Sequence, residues 1–119
     1  MVLHERRGLK LLKKENCCLH VIDPQIRLME TIHRQEEVLD TIGLMIDCAK
    51  IIGLPIVANT QYKKGLGPYP EFIEEKLADV PQIDKIHFNC LESEATSLYY
   101  DNLPTQVTTS ILVGAESHI

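Results

Sequence analysis

Cys17-Cys18-Leu19-His20-Val21-Ile22-Asp23-Pro24-Gln25 is the stretch that decides how this chain is read. A short, mostly apolar run of this length, with β-branched residues and no interrupting charge, has the character of a strand buried on both faces. Pro24 has no N–H for a ladder and disfavours a helical conformation at the residue before it, so the strand is predicted to stop at Asp23. In open parallel α/β sheets, ligands bind beyond the carboxyl ends of the strands, and a carboxylate there is placed for chemistry. The same position also suits a strand-terminating Asx turn, and the residues alone leave both roles for Asp23 open.

The chain has 119 residues, enough for a single core but short for a complete doubly wound sheet. It carries 12 Lys and Arg against 17 Asp and Glu, a formal charge of -5. That balance offers no basic face to a phosphate backbone, so nucleic acid is not an expected partner. Hydrophobic content of 45% and charged content of 24% are those of a soluble globular protein. Apolar runs fall well short of the ~18 residues of a membrane span, so no membrane partner is expected. Met1 to Arg7 has early charges without an apolar segment and small-residue cleavage site behind them, which sets the expected location as cytoplasmic. Cys17, Cys18, Cys48 and Cys90 form no C-x-x-C pair and read as buried thiols. The five histidines lack ligand spacing, so neither a metal nor another cofactor is indicated.

Residues 1–15, with Lys10, Lys13 and Lys14 set among Leu9, Leu11 and Leu12, read as a solvated N-terminal arm. Beyond the first strand, Ile26 to Arg34 is a connection whose Leu28, Met29 and Ile32 can pack on the sheet. Val38, Ile42, Met45, Ala49 and Ile52 then recur at helical spacing, which predicts an amphipathic helix over Gln35 to Ile52, stopped by Gly53 and Pro55. Its outer face carries Leu44 and Ile51, an apolar pair that is compatible with a homo-oligomer without specifying one. Leu54 to Thr60 is a second apolar run, so a right-handed βαβ unit with parallel strands follows. The glycines of Gln61 to Pro68 shape a turn that presents Tyr62 and Lys63 to the crevice, and Pro70 opens a short helix. Gln82 to Phe88 reads as a third strand carrying Lys85, which is either a group reaching the crevice or a solvated surface lysine. A helix over Glu92 to Asn102 and a fourth strand over Val107 to Gly114 complete the pattern. His20, inside the first strand, is expected to be a hydrogen-bonded core histidine.

In this order the motifs resemble the isochorismatase-like cysteine hydrolases, from Leu19 to the last residue. The resemblance rests on D-x-Q at Asp23 to Gln25, I-x-G-x-P at Ile51 to Pro55, and T-Q-Y-x-K-G-L-G at Thr60 to Gly67. Lys85 shortly before Phe88, and G-x-E-S-H at Gly114 to His118, complete it. The Gln61 to Gly67 stretch is most similar to the isochorismatase-domain branch, whose substrates are largely unassigned.

The resemblance implies a three-layer α/β fold, Rossmann-like, with a mainly parallel sheet and helices on both faces. The 119 residues would be the N-terminal portion of one such domain, its C-terminal part missing. It further implies an Asp-Lys-Cys triad acting without metal on a small amide or ester-like metabolite, through a covalent thioester-type intermediate. Asp23 would be the general base and Lys85 the cation that favours the thiolate. A thiol of pKa about 8.5 becomes a competent nucleophile beside such a pair. A non-proline cis peptide at Ala115–Glu116 would aim backbone N–H groups at the oxyanion. Gln25, Tyr62 and Phe88 are candidates for the substrate-pocket wall, each with an alternative as a turn or packing residue. The nucleophilic cysteine would be the residue directly after Ile119. The chain is therefore either a fragment cut at the nucleophile or a non-catalytic oligomeric scaffold of the same fold; a ribonuclease label attaches to some relatives. Asn59 to Tyr62 offers none of the aspartate and histidine ligands that nicotinamidase-like members use.

Overall fold

The computed structural model describes residues 11–115. After a single 3-10 turn at Lys14–Asn16, β1 runs from Cys17–Ile22, α1 from Ile26–Met29 and α2 from Gln35–Ile52. They are followed by β2 (Ile56–Gln61), α3 (Lys63–Leu66), α4 (Glu71–Lys76) and β3 (Gln82–Lys85). A 3-10 turn at Cys90–Glu92, α5 (Glu94–Asp101) and β4 (Thr109–Gly114) complete the described chain. No helix among the described residues is long and apolar enough to cross a membrane.

All six residues of β1 are buried, because the strand has a parallel neighbour on each side and helices over each face. The sheet order is β3-β2-β1-β4, with Leu19 opposite Ile56 in β2 and Ile111 in β4. β2 and β3 are laid down on one side of β1, and β4 then crosses to the other. The order of strand addition reverses between β1 and β4, which makes the carboxyl ends of these two parallel strands the switch point of the sheet. Leu19 and Val21 face α2 and α4, in a core with Met29, Ile42, Ile46, Ile73 and Leu77. Cys18 and His20 face the opposite way, toward Ser110 and Tyr100 of α5. The expected two-faced parallel α/β architecture is therefore the one observed.

Helix α2 has the predicted bounds, and Gly53 ends it in the left-handed region at φ 83°, its N–H bonded to the Ala49 carbonyl. The buried stripe is rotated from the predicted one. Leu39, Ile42, Gly43, Ile46 and Ala49 face inward, whereas Val38 and Met45 flank the stripe and Ile52 is exposed. The cause is α4. A Cβ on Gly43 would stand 3.2 Å from Phe72 Cε2, so the small residue admits that ring and the helix turns to cover sheet and α4 together.

Three further expectations are revised. β3 ends at Lys85, and Ile86 to Phe88 leave the sheet into solvent. α5 starts at Glu94 and not Glu92, because Ser93 caps it by accepting the Thr96 N–H. Of the four cysteines only Cys17 and Cys18 are buried; Cys48 is exposed on the outer face of α2 and Cys90 is half-buried. Leu44 and Ile51 are exposed as expected, at 61% and 83%. Most of the N-terminal arm, residues 1–10, lies outside the described residues.

Candidate functional site

Asp23 follows the last residue of β1 with φ 54°, a left-handed conformation strained for a residue with a side chain and more so before proline. Its N–H bonds the Asn59 carbonyl at 3.2 Å, which ties the strained residue to β2. The carboxylate does not fold back on its own backbone as an Asx turn would. Its Oδ2 accepts from Lys85 Nζ at 2.8 Å, and its Oδ1 is buried without a partner. Lys85 is 4% exposed, so the solvated-lysine alternative is set aside by its burial. The β2–β3 register explains the meeting, for it puts Lys85 opposite Gln61 at the ends of adjacent parallel strands.

Burial pushes the Asp23 carboxyl above its ordinary value, against the opposing pull of the Lys85 hydrogen bond and charge. A buried carboxylate with one oxygen fixed by an ammonium and the other unpartnered is equipped to take up a proton at Oδ1.

Gly114 of β4 pairs with Ile22, so the turn that leaves the fourth strand starts beside Asp23. Ala115 follows it, but the Ala115–Glu116 bond lies outside the described residues. Gln25, expected at the pocket wall, is wholly buried and committed to the loop after β2. Its Oε1 accepts from the Gln61 N–H at 2.6 Å, and its Nε2 donates to the Gln61 and Gly67 carbonyls. Tyr62 is half-exposed, with its ring over Gly65, and Phe88 is exposed beyond the end of β3. Lys63 turns away toward β3, where its backbone N–H bonds Asp84. A cavity of about 410 Å³ adjoins the end of β1 on the α5 face, between His20, Ile22, Cys90, Leu91, Tyr100 and Leu112.

No family model matches the chain. It is 33% identical over 78 residues to the secreted isochorismatase effector Isc1 of Phytophthora sojae, a match covering 63% of this chain and 37% of that protein. It superposes on the MAR1 ribonuclease of Caenorhabditis elegans with a TM-score of 0.73 and 31% identity, over 88% of this chain and 53% of that one. The chain is similar in sequence to an isochorismatase effector and shares the isochorismatase-like α/β fold. The YcaC gene product of Escherichia coli, described as an octameric hydrolase of unknown specificity, shares the fold at a TM-score of 0.78. Identity there is 20%, covering 87% of this chain and 52% of that one. The chain thus spans about half, or less, of the length of the relatives it matches.

The structure adds contacts to which the motifs assigned no role. Lys85 Nζ donates to Gln61 Oε1 at 2.6 Å as well as to Asp23. Behind the pair, His20 Nε2 meets Asn59 Oδ1 at 2.5 Å and its Nδ1 meets the Tyr100 hydroxyl at 2.8 Å. The carbonyl oxygen of Asn59 can only accept, so Nε2 carries the proton and Tyr100 donates to Nδ1. His20 is therefore the hydrogen-bonded core histidine that its place in the strand suggested. Burial holds it below its ordinary pKa, and burial pushes the Tyr100 hydroxyl up to about 12. Asn59 in turn donates to Ile83 and Thr96, so its side chain is fully engaged. Among the described residues, no group of three or more His, Cys, Asp or Glu is arranged to hold a metal.

Proposed function

We propose that Asp23 and Lys85 are the base and the cation of a metal-independent, thiol-dependent hydrolase of a small amide or ester-like metabolite. Its nucleophile is a cysteine directly following Ile119. The observation that supports this most is the unpartnered Oδ1 of Asp23, on a carboxylate whose other oxygen is held by Lys85. In this reading Oδ1 takes the thiol proton and Lys85 favours the resulting thiolate. The thiolate adds to the substrate carbonyl, with the Ala115–Glu116 turn donating to the oxyanion. Asp23 returns its proton to the leaving amine or alcohol, and then activates the water that hydrolyses the thioester. Tyr62 and Phe88 are the proposed pocket wall, with Gln25 behind them holding the loop.

A non-catalytic oligomeric scaffold is the second reading, supported by the exposed Leu44 and Ile51 on α2 and by the octamer described for YcaC. Homo-oligomerisation is compatible with both. RNA cleavage, the activity in the name of the nematode neighbour, has little support in a chain with 17 acidic and 12 basic residues.

The test is thiol alkylation of the full-length protein followed by intact-mass measurement. One hyper-reactive cysteine besides Cys17, Cys18, Cys48 and Cys90, quenched in Asp23→Asn, is the result expected of the hydrolase. Its absence favours the scaffold.

A further inference from the structure

We infer that Gln61 is a positioning residue: it fastens Lys85 to one oxygen of Asp23, and so decides which oxygen of the carboxylate is left to take a proton. The inference rests on the thiol-hydrolase reading above and assigns a role to a residue outside the proposed triad.

The geometry has four parts. Lys85 Nζ donates to Asp23 Oδ2 at 2.8 Å and to Gln61 Oε1 at 2.6 Å. An ammonium held between two fixed acceptors has a defined position, whereas one held by a carboxylate alone can slide between its two oxygens. Gln61 is itself oriented, because its Nε2 donates to the Ile86 carbonyl at 3.0 Å. Turning the amide over would set its NH2 against the ammonium and its oxygen against that carbonyl, so the network admits one orientation. Finally, the Gln61 backbone is gripped at both ends by the buried Gln25 amide, which takes the place of a ladder partner where β2 runs out. The order of support is Gln25, Gln61, Lys85, Asp23. Oδ1 is the only buried side-chain polar atom among the described residues without a partner, and it is the atom this arrangement leaves over.

Gln61→Met keeps the length and volume of the side chain and removes both polar atoms. The carboxyl titration of Asp23, followed by carbon NMR, reads the consequence directly and needs no substrate. With one anchor lost, the ammonium is no longer confined to Oδ2, and the Asp23 midpoint is expected to shift by roughly one pH unit. Gln25→Met acts one step further back and is expected to move the midpoint the same way by less. In the full-length protein, the pH profile of thiol alkylation should shift with the Asp23 midpoint in Gln61→Met. An Asp23 midpoint unchanged in Gln61→Met overturns the inference. So does a midpoint that moves in Gln25→Met and not in Gln61→Met. If no reactive thiol exists in the parent protein, the hydrolase reading fails, while the Asp23 titration still decides whether Gln61 positions Lys85.

Discussion

Gly114 stands opposite Ile22 at the end of the β1–β4 ladder, so close that a Cβ added to it would lie 1.9 Å from the Ile22 carbonyl oxygen. The obstacle is backbone on the neighbouring strand, and Gly114 also has φ 150°, which side chains rarely tolerate. Gly114→Ala must therefore push apart the two strands whose ends bracket Asp23. The expected cost is about 3 kcal/mol, measured by urea unfolding, and a loss under about 0.5 kcal/mol would show that the ladder end gives way easily.

The Asp23–Lys85 pair is expected to be held at the expense of stability. Asp23→Asn leaves a buried ammonium without its counter-charge, which typically costs about 3–5 kcal/mol. Replacing both members, Asp23→Asn with Lys85→Met, removes the stranded charge and should recover the parent stability or exceed it. Burial raises the Asp23 carboxyl, so the folded state binds its proton more readily than the unfolded chain. Stability from this group accordingly declines as pH rises above the ordinary carboxyl value of 3.8. The double variant should lack that decline in a pH series of urea midpoints. A double variant as unstable as Asp23→Asn would argue that the pair serves packing and not chemistry.

Much of this was legible in the residues, for identifiable reasons. The apolar run ending at Asp23 specified a buried strand, and Gly53 with Pro55 specified where α2 stops, because both signals are local. Lys85 was legible as a candidate, but its burial was not, since that depends on the register between β2 and β3. The hydrogen bonds that shape the site join residues far apart in the chain: Gln25 to Gln61 across 36 positions, His20 to Tyr100 across 80. Gln61 stood inside a motif that said nothing of its partner, and Tyr100 carries no pattern at all. The rotation of the α2 stripe had the same origin, because Gly43 faces Phe72 of α4 and local periodicity fits either stripe.

His20 gives a dependence on pH of opposite sign to that of Asp23. Burial lowers its pKa from 6.5, so the unfolded chain takes up a proton that the folded protein resists. Stability from this group is present above about pH 6.5 and is lost as pH falls toward the folded value. His20→Gln is expected to lower stability at neutral pH by about 1–2 kcal/mol, through the partners it leaves on Asn59 and Tyr100, and to flatten the slope below pH 6.5. Urea midpoints of parent and variant between pH 5 and pH 8 check both. Parallel curves would mean that His20 does not account for the acid limb.

Thiol reactivity should separate the four cysteines by position alone. Cys48 is exposed on the outer face of α2 and should react first. Cys90 is half-buried, and burial pushes its thiol up despite the nearby charge of Lys85, so it should follow more slowly. Cys17 and Cys18 lie on opposite faces of a strand buried on both sides, and opening the sheet is required to reach either. Their labelling should lag that of Cys48 by roughly a thousandfold and speed up with urea, a dependence that peptide mapping after timed alkylation would detect. Equal rates at Cys18 and Cys48 would mean that the β1–β4 half of the sheet opens easily. A thiol that outpaces Cys48 would have to be activated rather than merely exposed, which is the behaviour expected of a cysteine beside Asp23 and Lys85.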